Sequence, residues 1–368
     1  MFLSYQEPLN GDVGIVFGSF APMHQGHLEL IMRAKKENSG GCIVIVCGYD
    51  GDKGEPRLNH LKRYRYARQM FQDDELVNVY AINDNDIGIG HYPNGWQGWM
   101  SEFNKIFRTA VKDAACNRTW YVGDKNYYTD LIEMFGENAV LVERTDNPIS
   151  ATMIRDNPLK HWSKIATTFK SPYSVNILIT GTASEGKSTL VKDLGKYFNA
   201  PYSCEWARDY IIKHGKSDWE FNTQDFLAFL HGQFELNREL IKSRGNNGIF
   251  FADSDSLVTN MYAQSYCSEH DFSLSKDDYN NIIKPASYMY ARMCRWDAVF
   301  CLKPHGNFVD DHTRFMGHSY MDERNKLFNI LVESMKDVGM FDKVIMLEGN
   351  YHENFRKVVE YVNTIKAE

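Results

Sequence analysis

The nine residues Gly181-Thr182-Ala183-Ser184-Glu185-Gly186-Lys187-Ser188-Thr189 constrain this chain more than any other feature. They read G-x4-G-K-[ST] and sit between an apolar run, Asn176–Thr180, and a segment with Leu190, Val191, Leu194, Tyr197 and Phe198 on a helical period. A buried strand that turns through glycines into a helix aims free backbone N–H groups at one point and holds an anion there. In this pattern Gly181, Ser184, Gly186 and Thr189 belong to the ATP cradle, Lys187 reaches the outer phosphates, and Ser188 binds Mg2+. Further on, Ile249-Phe250-Phe251-Ala252-Asp253-Ser254-Asp255 is an apolar strand ending in acids, and Asp253 suits the second metal anchor. Glu205, Asp209 and Asp255 compete as acceptor ligand or general base, and the sequence does not rank them.

A second strand–turn–helix unit opens the chain. Val13–Phe17 runs into Gly18-Ser19-Phe20-Ala21-Pro22-Met23-His24-Gln25-Gly26-His27, followed by Leu28, Ile31 and Met32 on one predicted helix face. His24 and His27 can both donate to phosphate oxygens, and Gly26 lets a nucleotide approach the backbone. These residues resemble the nucleotidyltransferase superfamily, whose signature is (H/T)-x-G-H. Its second signature, I-S-x-T-x-x-R, stands as Ile149-Ser150-Ala151-Thr152-Met153-Ile154-Arg155. Ser150 and Thr152 can cap a helix and offer hydroxyls, and Arg155 can grip the phosphates of ATP. The resemblance implies attack of a phosphate oxygen on the α-phosphorus of ATP, with pyrophosphate leaving and charge stabilisation by His24, His27 and Arg155. It also implies ATP contacts from Gly18, Ser19, Phe20 and the Gly123-Asp124 turn.

The two units are 368 residues of one chain, more than a single core usually supports. Short apolar runs alternate with helical periods in both halves, which predicts parallel α/β sheets. Strands are expected at 13–17, 42–47, 119–122 and 139–142, then at 176–180, 249–252, 298–302 and 344–347. The pattern restarts after residue 170, so the expected domains are 1–170, a Rossmann-like nucleotidyltransferase domain, and 171–368, a P-loop kinase domain.

With "E-W-A-R-D-Y" at Glu205–Tyr210 and "F-A-D-S-D" at Phe251–Asp255, the whole chain resembles the NadR-type bifunctional family. These are nicotinamide-mononucleotide adenylyltransferase / ribosylnicotinamide kinases. The resemblance implies a first domain that makes NAD from the mononucleotide and a second that makes the mononucleotide from ribosylnicotinamide. The loop Tyr92-Pro93-Asn94-Gly95-Trp96-Gln97-Gly98-Trp99 resembles the family's pyridine-stacking loop, with Trp96 favoured over a core anchor. Arg314, in Asp310-Asp311-His312-Thr313-Arg314, occupies the place of a lid arginine, although His312 stands where the family often has glycine. Two rivals stay open. One changes the acceptor to nicotinate mononucleotide, flavin mononucleotide or pantetheine phosphate; the other is a nucleotide-sensing regulator.

Charge and cysteine usage narrow the partners. A formal net charge of −7 argues against a nucleic-acid face, and too few residues precede the first strand for a repressor domain. The run Arg57, Lys62, Arg63, Arg65, Arg68 reads mainly as a solvated helix face. Seven cysteines with no C-x-x-C spacing suggest free thiols and a cytoplasmic protein. No apolar run is long enough for a membrane. The expected partners are small molecules, with a homo-oligomer left open.

Overall fold

The eight residues Gly41–Gly48 are all buried, cysteine and glycine included, as in a strand covered on both faces. Cys42, Val44 and Val46 face one apolar cluster while Ile43, Ile45 and Cys47 face the other. That alternation is the two-residue period of a strand between two helical layers. The computed structural model describes residues 6–367 apart from 87, 89, 91, 143–147, 269–272 and 306–319. These fall into two units, Met1–Tyr173 and Ser174–Glu368.

In the first unit the strands are β1 (Val13–Gly18), β2 (Gly41–Gly48), β3 (Val77–Asn83), β4 (Arg118–Val122) and β5 (Ala139–Leu141). They form a parallel sheet in the order β3-β2-β1-β4-β5. The helices are α1 (Gln25–Glu37), α2 (His60–Met70), α3 (Trp96–Ala110), α4 (Lys125–Phe135) and α5 (Ala151–Asp156). Strand order reverses between β1 and β4, so the chain leaves their carboxyl ends in opposite directions and opens a crevice there.

The second unit has β6 (Val175–Gly181), β7 (Tyr202–Ser203), β8 (Ile249–Ala252), β9 (Ala298–Leu302) and β10 (Val344–Leu347), parallel in the order β10-β9-β6-β8-β7. Around it lie α6 (Lys187–Phe198), α7 (Trp206–His214), α8 (Thr223–Lys242), α9 (Ser256–Tyr266), the single turn α10 (Lys276–Asp278), α11 (Lys284–Met293), α12 (Met321–Asp337) and α13 (Tyr351–Ala367). The order of α8 begins at Asn222, whose side chain accepts from the N–H groups of Gln224 and Asp225 at 2.9 and 3.3 Å.

Among the described residues, eight of the ten strands coincide with the apolar runs read from sequence. The two others are β3, where Asn78 interrupts the apolar run, and β7, only two residues long. Two helix faces differ in detail. Met32 is 45% exposed and Tyr197 is 61% exposed, while Ile31 and Ala34 carry the buried stripe of α1. Among the described residues no helix is long and apolar enough to cross a membrane, and every cysteine is free.

Candidate active sites

The first site is built at the crevice between β1 and β4. A cavity of about 1660 Å³ there is lined by Gly18, Ser19, His24, Gly26, His27, Gly123, Asp124, Ser150, Thr152 and Arg155, among others. His24 is the N-cap of α1, and its backbone N–H donates to His27 Nδ1 at 3.3 Å. The two imidazoles stack with centroids 3.8 Å apart, and the buried Phe20 ring meets His27 edge-on at 5.0 Å. A Cβ on Gly26 would lie 3.3 Å from the His24 ring, so glycine keeps the pair close to the helix end.

Two guanidinium groups hold the loop that carries them. Arg155 donates to the Ala21 carbonyl at 2.7 Å and to Thr152 Oγ1 at 3.0 Å. Ser150 caps α5 by accepting from the Met153 N–H at 3.2 Å. From the other side Arg63, fully buried on α2, donates to the carbonyls of Ser19 (2.7 Å), Cys47 (3.3 Å) and Tyr49 (2.7 Å). Asp52 stands 3.6 Å away and supplies its counter-charge. The expectation of a solvated basic face is therefore corrected at Arg63. Its neighbours on the buried face are His60, Tyr64 and Ala67, spaced three and four residues apart. That spacing turns Arg63 toward the sheet, but the carbonyls that receive its guanidinium are supplied only by the fold. Asp124 edges the cavity, where its carboxylate caps α4 through the Asn126 N–H at 2.8 Å.

A second cavity of about 920 Å³ adjoins the first through Phe17, Gly18, Ser19, Lys53 and Tyr127. Trp99 and Asp84 form part of its wall, and the Trp99 indole donates to Asp84 Oδ1 at 3.0 Å. Burial pushes the Asp84 carboxyl above the usual carboxylate range, partly opposed by that hydrogen bond. Trp96 does not line either cavity. It is 2% exposed, donates to Asp130 Oδ2 at 2.8 Å, and packs among Phe17, Trp99, Tyr127 and Phe135. The stacking role expected of Trp96 is corrected: its ring is spent on the core, and Trp99, one helical turn on, faces the open space.

The second site lies at the end of β6. Gly181 has φ +142° and a Cβ there would meet the Leu302 carbonyl at 2.7 Å, so the close strand crossing requires glycine. Ser184 and Gly186 both adopt left-handed backbone, at φ +61° and +81°, which curls the loop onto the start of α6. Lys187 is buried and its ammonium donates to the Thr182 carbonyl at 2.6 Å, within the loop. The Ser188 hydroxyl donates to Asp253 Oδ2 at 2.5 Å, and Thr189 follows it in the first turn of α6. Burial raises the Asp253 carboxyl, while the Lys187 charge draws it back down. Its Oδ1 is buried with no hydrogen-bond partner among the described residues.

The three competing acids separate in space. Glu205 lines a pocket with Arg208, Asp218, Gln233, Ser254 and a set of aromatic rings. Its carboxylate bonds Arg208 at 3.0 Å, and its charge contributes to raising Asp253. Asp209 is not among the residues lining that cavity. Asp255 is 1% exposed and caps α9 through the Leu257 N–H at 3.0 Å, so acceptor binding by Asp255 is corrected to a helix cap. Arg314 lies outside the described residues. Glu185, by contrast, was not singled out in the sequence; it pairs with Arg324 of α12 beneath the loop.

Comparison with known proteins agrees with this layout. Residues 15–157 match the cytidylyltransferase-like family and residues 176–354 the AAA domain family. The chain is 29% identical to the trifunctional NAD biosynthesis/regulator protein NadR of Salmonella typhimurium and 28% identical to that of Escherichia coli, covering 97% of this chain and 84% of each relative. A crystal structure of NadR protein in complex with NR is 30% identical, with TM-score 0.84 and 98% of both chains covered. A crystal structure of NadR protein in complex with NAD and AMP-PNP gives 30% identity, TM-score 0.82 and the same coverage. Two parallel-sheet domains in this order, each with its phosphate loop, and a likeness running the full length of both chains place this protein in the NadR family.

Proposed function

We propose that this chain makes NAD from ribosylnicotinamide in two ATP-dependent steps, with residues 171–368 acting first as a kinase and residues 1–170 acting second as an adenylyltransferase. One observation carries the reading: two anion cradles of different construction, each at the carboxyl end of a parallel sheet, stand in one chain whose NadR relatives bind NR, NAD and AMP-PNP.

In the kinase step the 5′-hydroxyl of ribosylnicotinamide gives its proton to a carboxylate and attacks the γ-phosphorus of ATP, the bond to the β–γ bridging oxygen breaks, and ADP leaves. Lys187 and the N–H groups of Ser184 to Thr189 hold the outer phosphates. The Ser188 hydroxyl and the Asp253 carboxylate, with its orphaned Oδ1, are hard oxygen donors that fit Mg2+. Bound there, the ion would neutralise charge on the phosphates. Glu205 is the residue we assign as general base, because it lines the cavity beside Ser254 and its charge acts on Asp253. The rings of Phe226, Phe229, Tyr262 and Tyr266 and the Asp218 carboxylate suit a flat cationic pyridine.

In the second step a mononucleotide phosphate oxygen attacks the α-phosphorus of ATP and pyrophosphate leaves. A phosphate is already anionic, so no protein base is needed; His24, His27 and Arg155 stabilise the added charge. The adjoining cavity takes the pyridine. Asp84 in its wall favours an amide over a carboxylate on that ring, by charge repulsion.

Separate sites are tested by separate losses. Lys187→Ala is expected to abolish phosphorylation of ribosylnicotinamide and leave NAD synthesis from the mononucleotide intact; His27→Ala is expected to do the reverse. Loss of both activities in either variant refutes two independent sites.

A further inference from the structure

Glu185 places a carboxylate inside the loop that must hold a polyanion. Its side chain is fully shielded from solvent. Oε1 accepts from Thr182 Oγ1 at 3.2 Å and from Arg324 Nη2; Oε2 accepts from the His305 backbone N–H at 3.0 Å and stands 2.9 Å from His305 Nδ1. Arg324 is 1% exposed, comes from the first turn of α12, and also donates to the His305 carbonyl at 3.0 Å. One guanidinium therefore ties the phosphate loop to the chain just beyond β9.

A buried carboxylate without its partner would repel a triphosphate at short range and low dielectric. Paired with Arg324, it contributes no net charge and still fixes the loop through three donors. We infer that Arg324 is a positioning residue for nucleotide binding in the second domain: it neutralises Glu185 and pins the loop so that its N–H groups stay aimed at phosphate. This rests on the reading of that loop as an ATP site.

The test measures AMP-PNP·Mg2+ binding to the full chain by calorimetry with the first site kept filled by saturating NAD, so that the signal comes from the second domain, alongside KM for ATP and kcat in the kinase assay. Arg324→Gln is expected to weaken AMP-PNP binding by at least about tenfold, since it strands a buried charge beside the phosphates. KM for ATP rises accordingly, and kcat falls less. The double substitution Glu185→Gln, Arg324→Gln removes both charges and is expected to recover binding to within about threefold of the parent protein. Adenylyl transfer by the first domain serves as the internal control and stays unchanged in both. Unaltered AMP-PNP binding in Arg324→Gln, or a double variant no tighter than the single, overturns the inference. If the single variant does not fold, the double variant alone decides: restored binding supports the charge argument and weak binding overturns it. AMP-PNP binding needs no acceptor, so a parent protein that binds it yet does not phosphorylate ribosylnicotinamide refutes the kinase reading alone.

Discussion

Replacing Arg63 with methionine removes a cation while keeping most of its aliphatic volume. In the folded protein this guanidinium makes three hydrogen bonds to carbonyls and faces Asp52 at 3.6 Å. Hydrogen bonds to a charged donor contribute roughly 1.5–3 kcal/mol each, so three sum to about 4.5–9 kcal/mol. Burying the guanidinium costs several kcal/mol, which methionine no longer incurs. The net loss of stability is then about 2–4 kcal/mol. Function suffers separately, because the freed Ser19 carbonyl sits in the loop that carries His24 and His27. A displacement of about 1 Å at such a site costs on the order of a hundredfold in rate. Guanidinium-chloride unfolding followed by tryptophan fluorescence gives the stability change, and NAD formation from the mononucleotide gives kcat/KM. Phosphorylation of ribosylnicotinamide should hold steady throughout. Arg63→Lys should not restore the parent behaviour, since one ammonium cannot reproduce the fork that spans three carbonyls. An unchanged unfolding midpoint together with unchanged NAD synthesis in Arg63→Met refutes the argument that Arg63 holds the loop.

Four further outcomes follow from burial and cavity geometry. Burial pushes the Asp255 carboxyl up to about 6, above its unfolded value of 3.8, so stability is lost as pH rises from about 4 to 6 and the full penalty is present above 6. Asp255→Asn, which can still cap α9, is expected to stabilise the protein at pH 8 by up to about 3 kcal/mol, with the gain fading as pH falls from 6 towards 4. A gain that does not change with pH in thermal unfolding would show that another effect dominates. Trp96→Ala should lower stability by about 3–5 kcal/mol as a core truncation, while Trp99→Phe should raise KM for the mononucleotide more than for ATP. Equal effects of Trp99→Phe on both KM values would reject its place in the pyridine cavity. Asp84→Asn should narrow the preference for nicotinamide over nicotinate mononucleotide, read as the ratio of the two kcat/KM values; an unchanged ratio removes Asp84 from specificity.

Much of this protein was legible one residue at a time. Glycine placement in Gly181–Thr189 and the H-x-G-H at His24–His27 announce strand–loop–helix turns, because local backbone geometry and free N–H groups are set by neighbours along the chain. Apolar runs such as Cys42–Cys47 fix buried strands for the same local reason. The sequence by itself determined two parallel α/β units, their order, and the glycine-bearing strand–turn–helix that opens each. Tertiary structure alone decided which long polar and aromatic side chains became inner supports. Arg63 bonds carbonyls 14 to 44 residues away, and Arg324 meets Glu185 across 139 residues. It also decided that Trp96 would be core, Trp99 a cavity wall, and Glu205 the acid beside open space. The physical reason is common to all of them. Whether a charged or aromatic group is solvated, paired or packed depends on groups brought near by the fold, and spacing along the chain carries little of that information.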